Sequence, residues 1–454
     1  MRNRIIRLIC AALVSLFIPL MPVSAPAEGL QACHKVTNTC KETKQENGST
    51  VKLWQISTVR DDVNDELNAI AQTWADEIAP TLPSVNKKKK QSRSILDVGI
   101  RYSRTGLTWM SFMVQARTTH DAQTTDQIFT TRTYNMETGE RILLTDIFDD
   151  ADEAWDLLAD KVREGIESYW PDETPDTDEL ALLCSREELE RAEFTLHGMS
   201  LVLHYPAYLL YKGKYTLIEI PLYYPDIRGL MTEQAYHETD NLSYYRTCAL
   251  TFDDGPSQAN SPKVLDALME TGAVATFFVI GNQIEKAPYI VQREHDQGHA
   301  VASHNWHHGS ANASAASALK AMPAKVNKVM IKTIGIPVRY DRVPGGRYPP
   351  MQKAKVGWAY IQWSLDTYDW RGRTAAQVLK KLRKHLQDGD IILCHDFKDN
   401  TPENTRQAVR YMEEQGYLLL TVDELFAKDG VKLEPDKVYF HCVDGDYSIR
   451  KDGT

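Results

Sequence analysis

The chain has 454 residues, too many for one ordinary core, so two folded units are the starting expectation. It is 43% hydrophobic and 25% charged, without low-complexity tracts, as a globular protein should be. A net charge of −10 argues against a nucleic-acid partner, which selects for a basic face, and leaves neutral or zwitterionic substrates open.

The first residues have the texture of an export signal. Arg2, Arg4 and Arg7 form a basic start, Leu8 to Leu20 is apolar, and Ala25-Pro26-Ala27 offers small residues at cleavage spacing. The apolar run is shorter than the roughly 20 residues that span a bilayer, so processing after Ala27 is expected. No transmembrane span is expected after cleavage, and the protein is placed in the periplasm, on the cell surface or outside; the alternative is an uncleaved anchor. Six cysteines follow Cys10: Cys33, Cys40, Cys184, Cys248, Cys394 and Cys442. None forms a Cys-x-x-Cys, which removes support for a structural zinc site or a thioredoxin-type motif. Cys33 and Cys40 are close enough to close a small loop under oxidising conditions. Cys248 and Cys394 sit in apolar runs and read as buried thiols.

Residues 28–50 are polar and read as a flexible segment. A first, α+β unit is expected over 51–236. It opens with a helix over 61–77, whose apolar Val63, Leu67, Ile70, Ala71 and Trp74 recur at helical spacing. The basic run Lys87 to Lys90 reads as a solvated loop. Strand-rich sequence from Ile95 to Ile147 includes runs at 109–114 and 127–134 and a hairpin-type turn at 136–140. An acidic helix (152–168) and strands near 193–203 and 215–220 complete the unit. His197 and His204 look isolated, each a surface or hydrogen-bonded residue, and no set of catalytic side chains converges here.

Residues 237–246 read as a linker. From 247 to 430 short continuous apolar runs (248–252, 274–280, 299–302, 360–365, 390–394, 417–422) alternate with helical segments. Continuous apolar strands are expected when a parallel sheet is covered on both faces. Ser261 as N-cap, Pro262 in the first turn and Gly272 beyond the end punctuate the first helix. The expected fold is α/β, a distorted or incomplete (β/α) barrel preceded by the smaller α+β unit, with 431–454 as a C-terminal extension.

The ionisable residues of this half collect where strands end. Asp253 and Asp254 follow one, His304 a second, Arg342 a third, Asp366 and Asp369 a fourth, and His395 ends a fifth. A βα barrel keeps its chemistry at those C-terminal ends. Adjacent Asp253 and Asp254 share a site only where the strand breaks, at Gly255-Pro256. Two carboxylates in one pocket repel, so one binds a cation while the other keeps a titratable role. His304 and His308, four apart, lie on one face if they occupy a helical turn. With one Asp they give three protein ligands to a divalent metal: zinc by default, with cobalt, nickel or iron open. Leu393 and His395 share a strand face that Cys394 does not. Asp369 is a candidate to favour charged His395, and Arg342 to hold a carboxylate ionised.

Thr251-Phe252-Asp253-Asp254-Gly255-Pro256-Ser257, then His-x-x-x-His, Arg342-x-Pro-Gly-Gly, Asp366-x-x-Asp369-Trp370 and Leu393-x-His395, in that order, resemble the motifs of carbohydrate esterase family 4. These are the polysaccharide deacetylases with a NodB-homology domain. The resemblance covers about 245–427 and includes residues 275–282. It implies that Asp253 is the general base and that Asp254, His304 and His308 hold the metal. It further implies that Arg342 holds Asp253, Gly345 N–H serves the oxyanion, Asp369 tunes the general acid His395, and Trp370 and Leu393 wall the acetyl pocket. The implied substrate is an N-acetylated glycan, most naturally cell-wall peptidoglycan. An inactive glycan-binding module, an O-acetyl esterase of xylan-type glycans and a cyclic-amide hydrolase are the alternatives on the same scaffold. Three positions depart from the family pattern: Asn305 and Gly309 flank the histidines, and Gly345 stands where an aromatic residue is common. His307 competes as a ligand, with His308 favoured by helical geometry and family spacing. The segments Tyr134-Asn135-Met136-Glu137-Thr138-Gly139-Glu140 and Ile218-Glu219-Ile220-Pro221 resemble an extracytoplasmic domain of some anti-sigma factors, which implies a positioning or partner-binding role.

Overall fold

The computed structural model describes residues 35–448 apart from 87, 89–91, 150–151, 310–315 and 347–355. The expected export signal, Cys33 and most of the Lys87 to Lys90 run lie outside the described residues. Among the described residues no helix is long and apolar enough to cross a membrane.

The N-terminal part opens with strands β1 (Thr37–Lys44) and β2 (Thr50–Ser57), helix α1 (Asp61–Ile78), and strands β3 (Ser94–Thr105), β4 (Trp109–His120), β5 (Gln123–Asn135) and β6 (Arg141–Ile142). They form one sheet in sequence order, parallel only between β2 and β3, which α1 connects. The 3.6-residue pattern puts Val63, Leu67, Ala71 and Ala75 of α1 against Leu96, Val98, Phe112 and Val114 of the sheet. Residues 37–50 correct the expectation of a flexible segment. β1 is polar because it is an edge strand wet on nearly every side chain, while its backbone pairs with β2 throughout. Asn38 is its one buried residue, and its Nδ2 donates to Ile100 O (2.7 Å) and Met269 O (3.0 Å).

Helix α2 (Asp152–Ser168) and the antiparallel sheet β7 (Phe194–Leu196), β8 (Ser200–Pro206) and β9 (Leu217–Tyr223) build a second core around Leu158, Val162, Leu201 and Leu203. His197 and His204 are neither isolated nor at the surface. Both are buried, and their Nε2 atoms share Thr195 Oγ1 at 2.9 and 2.7 Å. The polar stretch 237–246 is also built in. It contains the end of α3 (Glu233–Thr239), and buried Glu238 accepts the backbone N–H groups of Leu107, Thr108 and Trp109. Its polarity reflects capping of another segment's backbone rather than solvation.

Nine parallel strands follow: β10 (Arg246–Asp253), β11 (Thr276–Val279), β12 (Ala300–Ser303), β13 (Tyr340–Asp341), β14 (Ala359–Ile361), β15 (Leu365–Asp366), β16 (Asp390–His395), β17 (Tyr417–Leu419) and β18 (Val438–Tyr439). The path runs β15-β16-β10-β11-β12-β13-β14-β18, with β17 paired to the start of β10. The strand expected over 360–365 is two strands, β14 and β15, lying near opposite ends of this path. Only Gln362, Trp363 and Ser364 separate them, so Ile361 and Leu365 stand at most about 14 Å apart. The sheet therefore curls almost into a barrel, and a chain segment bridges the seam where no ladder does.

Both faces are covered, which is why the strands read as continuous apolar runs. Leu250, Phe252, Ile392 and Cys394 pack outward with helices α4 (Ser261–Thr271), α5 (Pro288–Asp296), α6 (Ala316–Ile334), α7 (Ala375–His385) and α8 (Thr401–Glu414). Ala249, Phe278, Tyr340, Ile361 and Ile391 face a separate inner core, joined by α9 (Val422–Ala427). Tyr439 of β18 and Cys442 are buried in that inner core, so part of 431–454 belongs to the sheet and is not an extension. Ser261 is the first helical residue of α4, not its cap, because its Oγ is engaged by Asp396 and by Ser257 N–H. Gly272 ends the helix at φ 68°, where a Cβ would meet the Tyr102 ring at 2.3 Å.

The two halves share buried charge. Asp296, at the end of α5, accepts Arg117 Nη2 (2.5 Å) from β4, Gln127 Nε2 (3.1 Å) from β5, Thr216 Oγ1 (2.5 Å) and Leu217 N–H (3.0 Å). Lys52 and Arg293 each reach Asp266 at 2.7 Å, and Arg104 reaches Glu413 at 3.0 Å.

Candidate active site

β16, β10, β11, β12 and β13 are consecutive parallel strands of the curled sheet, so residues at the C-terminal ends of β16, β10, β12 and β13 converge. Asp253 is the last residue of β10, and its carboxylate accepts Arg342 Nη1 at 2.8 Å. Arg342 is fully buried. It also donates to Thr251 Oγ1 (2.8 Å), Ile361 O (3.0 Å) and Gln362 O (3.1 Å), and lies 3.8 Å over the Phe278 ring. Burial pulls the guanidinium down from its ordinary range and Asp253 pushes back. The carbonyls and the carboxylate supply what a buried cation needs.

Asp254 adopts φ 78°, a left-handed conformation an aspartate tolerates at a cost of about 1–3 kcal/mol. Leaving the strand this way turns its side chain to the same cleft as Asp253. Its Oδ1 lies 3.4 Å from His304 Nε2 and 3.7 Å from His308 Nε2. His304 and His308 do not meet on a helical turn. The segment after β12 is irregular, with Asn305 at φ 63°, and brings the two rings to a 5.7 Å centroid separation.

Whether these residues fit a cation is decided by proton accounting. His304 Nδ1 is 2.7 Å from Arg342 O, which only accepts, so Nδ1 carries the hydrogen and Nε2 offers a lone pair. That lone pair faces a carboxylate oxygen, and Asp254 Oδ1 is buried without a hydrogen-bond partner. A proton on Nε2 or a shared cation reconciles the two; without a cation, burial lowers the His304 pKa but Asp253 and Asp254 outweigh it and raise it. The ligand atoms of Asp254, His304 and His308 all lie within 4.8 Å of one another. Atoms held about 2.0–2.2 Å from one metal stand roughly 3–3.6 Å apart, so the set fits. His307 is exposed and is not among them. Burial raises Asp254, but the nearby His304, His308 and His395 outweigh it and hold its pKa below the usual carboxylate value.

On the other wall, His395 Nδ1 is 2.8 Å from Asp369 Oδ1, and Asp369 Oδ2 accepts the His395 backbone N–H at 2.8 Å. Asp369 is buried and is held by Thr367 Oγ1 and Trp370 N–H. Burial lowers the imidazole pKa, but the Asp369 contact and the charges of Asp253 and Asp254 overcome this and raise it to about 9. Leu393 is buried two residues before His395, Trp370 is 41% exposed at the rim, and Gly345 (φ 68°) has open space where a Cβ would stand. The ten residues expected to act in catalysis, metal binding or substrate binding thus lie near the C-terminal ends of β10, β12, β13, β15 and β16 or on the turns just beyond them.

Four supporting residues escaped the sequence reading. Thr251 anchors Arg342 and donates to Ile392 O, and Thr367 ties Asp369 to Leu393 O. Asp341 accepts Asn305 N–H, and Asp396 bonds Ser261; burial raises each carboxyl to about 7. Asp341 and Asp396 each adjoin a residue that was found, and their position beside Arg342 and His395 was the available signal.

The polysaccharide deacetylase family model matches residues 244–356. A peptidoglycan-N-acetylglucosamine deacetylase of Bacillus cereus is 30% identical over 185 residues, 39% of this chain and 86% of that protein. The peptidoglycan-N-acetylglucosamine deacetylase PgdA of Listeria monocytogenes is 37% identical over 196 residues, 43% of this chain. The peptidoglycan-N-acetylmuramic acid deacetylase PdaC of Bacillus subtilis is 29% identical over 181 residues, 40% of this chain. The chain spans only 41% of the Listeria protein and 38% of the B. subtilis one.

Proposed function

The chain belongs to the polysaccharide deacetylase family, and on that premise we propose that it is an exported, metal-dependent enzyme that hydrolyses N-acetyl groups of cell-wall peptidoglycan. The observation that carries this reading is the convergence of two pairs and a trio in one cleft: Arg342 with Asp253, Asp369 with His395, and Asp254 with His304 and His308. The names of the relatives support peptidoglycan as substrate and a cell-wall location, with N-acetylglucosamine favoured over N-acetylmuramic acid.

Asp254, His304 and His308 would hold a divalent ion, zinc by default. When bound, such an ion polarises the amide carbonyl and acidifies water toward neutral pH. Asp253 takes the proton from the attacking water, and Arg342 holds its carboxylate in place through a 2.8 Å hydrogen bond. The water oxygen bonds to the acetyl carbon, and Gly345 N–H serves the resulting oxyanion. His395, kept charged by Asp369, gives its proton to the sugar nitrogen as the C–N bond breaks, so the products are acetate and a free amine. Trp370 and Leu393 wall the acetyl group.

The deciding assay is acetate release from peptidoglycan, N-acetylchitooligosaccharides and acetylated xylan, with and without added zinc. Metal-dependent release from the first is expected. Release from xylan alone would make the protein an O-acetyl esterase, and no release from any of them would leave a glycan-binding module.

A further inference from the structure

Between Trp370 and Gln387 the chain has Arg371, Arg373, Lys380, Lys381, Arg383, Lys384 and His385 and no acidic residue, within a protein of net charge −10. Among the described residues none of these seven forms an ion pair, whereas Arg60, Arg117, Arg186, Arg293 and Arg406 all do. A favourable helix C-terminus accounts for Arg383, Lys384 and His385. It does not account for the other four. Helix α7 buries Val378 and Leu382. Its opposite side, with Gln377, Lys380, Lys381 and Lys384 at i, i+3, i+4 and i+7, lines a groove of about 340 Å³ together with Arg373 and His385.

The groove borders the Tyr368 to Trp370 turn that carries Asp369. Arg371 lies 4.5 Å over the Trp370 ring, while Arg373 and Lys381 lie 4.7 and 5.3 Å over the Tyr368 ring. Tyr368 and Trp370 flank Asp369, the partner of His395. The Asp366 carboxylate accepts Tyr368 N–H and Trp370 Nε1, forms no ion pair with the groove, and acts on Lys381 only through its charge. The crowding is felt by its members: burial lowers the Lys381 pKa, Asp366 pushes it back up, and Arg373 and Lys384 tip the balance downward, while burial with Lys381 and Lys384 lowers His385. A groove with this excess of cations beside the rim of the site suits an anionic substituent carried on the sugar chain.

We propose that this groove is a subsite for carboxylate groups attached to the glycan, so that the enzyme selects an acidic, peptide-bearing strand over a neutral homopolymer. The inference rests on the deacetylase reading and adds a substrate class to it. The test compares kcat/KM for acetate release from peptide-bearing peptidoglycan fragments and from N-acetylchitooligosaccharides of equal sugar length. Wild type is set against Lys380→Glu/Lys384→Glu and the milder Lys380→Gln/Lys384→Gln, each checked for an unchanged melting temperature. The preference for the acidic glycan should fall about tenfold in the first variant and less in the second, and its loss at raised salt should flatten. Equilibrium binding of the same fragments is measured in parallel, so the subsite is read even without turnover. Absence of acetate from both substrates would overturn the deacetylase reading alone. An unchanged preference and unchanged fragment affinity in both variants would overturn the subsite. So would retention on phosphatidylglycerol vesicles that the variants abolish while the preference stays put, which would make the basic face a membrane surface.

Discussion

Replacing Asp369 by Asn removes the charge that holds the His395 proton while keeping an acceptor in place. In the native arrangement Asp369 Oδ1 sits 2.8 Å from Nδ1, and the imidazole pKa stands at about 9. An adjacent opposite charge is worth about 1–3 pKa units, so the variant should titrate near 7. The sign follows from the direction of the shift. A raised imidazole keeps its proton, and the stability that goes with it, at pH below its unfolded value near 6.5, and loses both as pH rises through about 9. The alkaline limb of kcat/KM should therefore fall by about two units in Asp369→Asn. At pH 8 the protonated fraction drops from about nine-tenths to about one-tenth, a tenfold loss worth about 1.4 kcal/mol, which disappears at pH 5.5. The assay is a pH–rate profile of acetate release, paired with an NMR titration of His395. An alkaline limb that does not move, or a loss of rate that is the same at pH 5.5 and pH 8, would refute the assignment of Asp369 as the group that tunes the acid.

Asp253→Asn should bind zinc as tightly as wild type and lose at least a hundredfold in kcat, whereas His304→Ala should lose both; near-native turnover of Asp253→Asn would remove it as the base. Because His308 and not His307 stands beside Asp254, calorimetry should find zinc affinity at least tenfold weaker in His308→Ala and unchanged in His307→Ala. Arg117→Ala leaves Asp296 buried against two neutral donors and one N–H, and should cost about 3 kcal/mol in urea unfolding. A change under about 0.5 kcal/mol would mean that water replaces the guanidinium.

The site was legible in the sequence because it lies at strand ends, where a motif and its neighbours in space are set by one repeated βα geometry. Asp253, Arg342 and His395 needed only the strands to be found. The route by which His308 reaches Asp254 was not legible. A four-residue spacing suggests a helix, but Asn305 turns the chain at positive φ and achieves the same approach irregularly. The run 360–365 misled for a related reason: continuous hydrophobicity reports burial on both faces and is silent about a change of neighbour between Ile361 and Leu365. Polarity misled at 37–44, where an edge strand needs no apolar face, and at Glu238, whose charge caps buried N–H groups 129 to 131 positions away in the chain.

The carboxylate of Asp296 gives the N-terminal half a different standing from that of a detachable accessory. One anion at the end of a catalytic-side helix is neutralised by a strand that precedes it by 179 positions and is wrapped by two further segments of that half. Removing everything before residue 245 would strip away all four of its partners at once, and would take Lys52 from Asp266 and Arg104 from Glu413 elsewhere in the seam. Inheritance and exchange of the two halves are coupled by the same chemistry: a deacetylase unit carrying Asp296 is fitted to a companion that supplies Arg117, and recombination with a companion lacking that arginine leaves a bare charge in the seam.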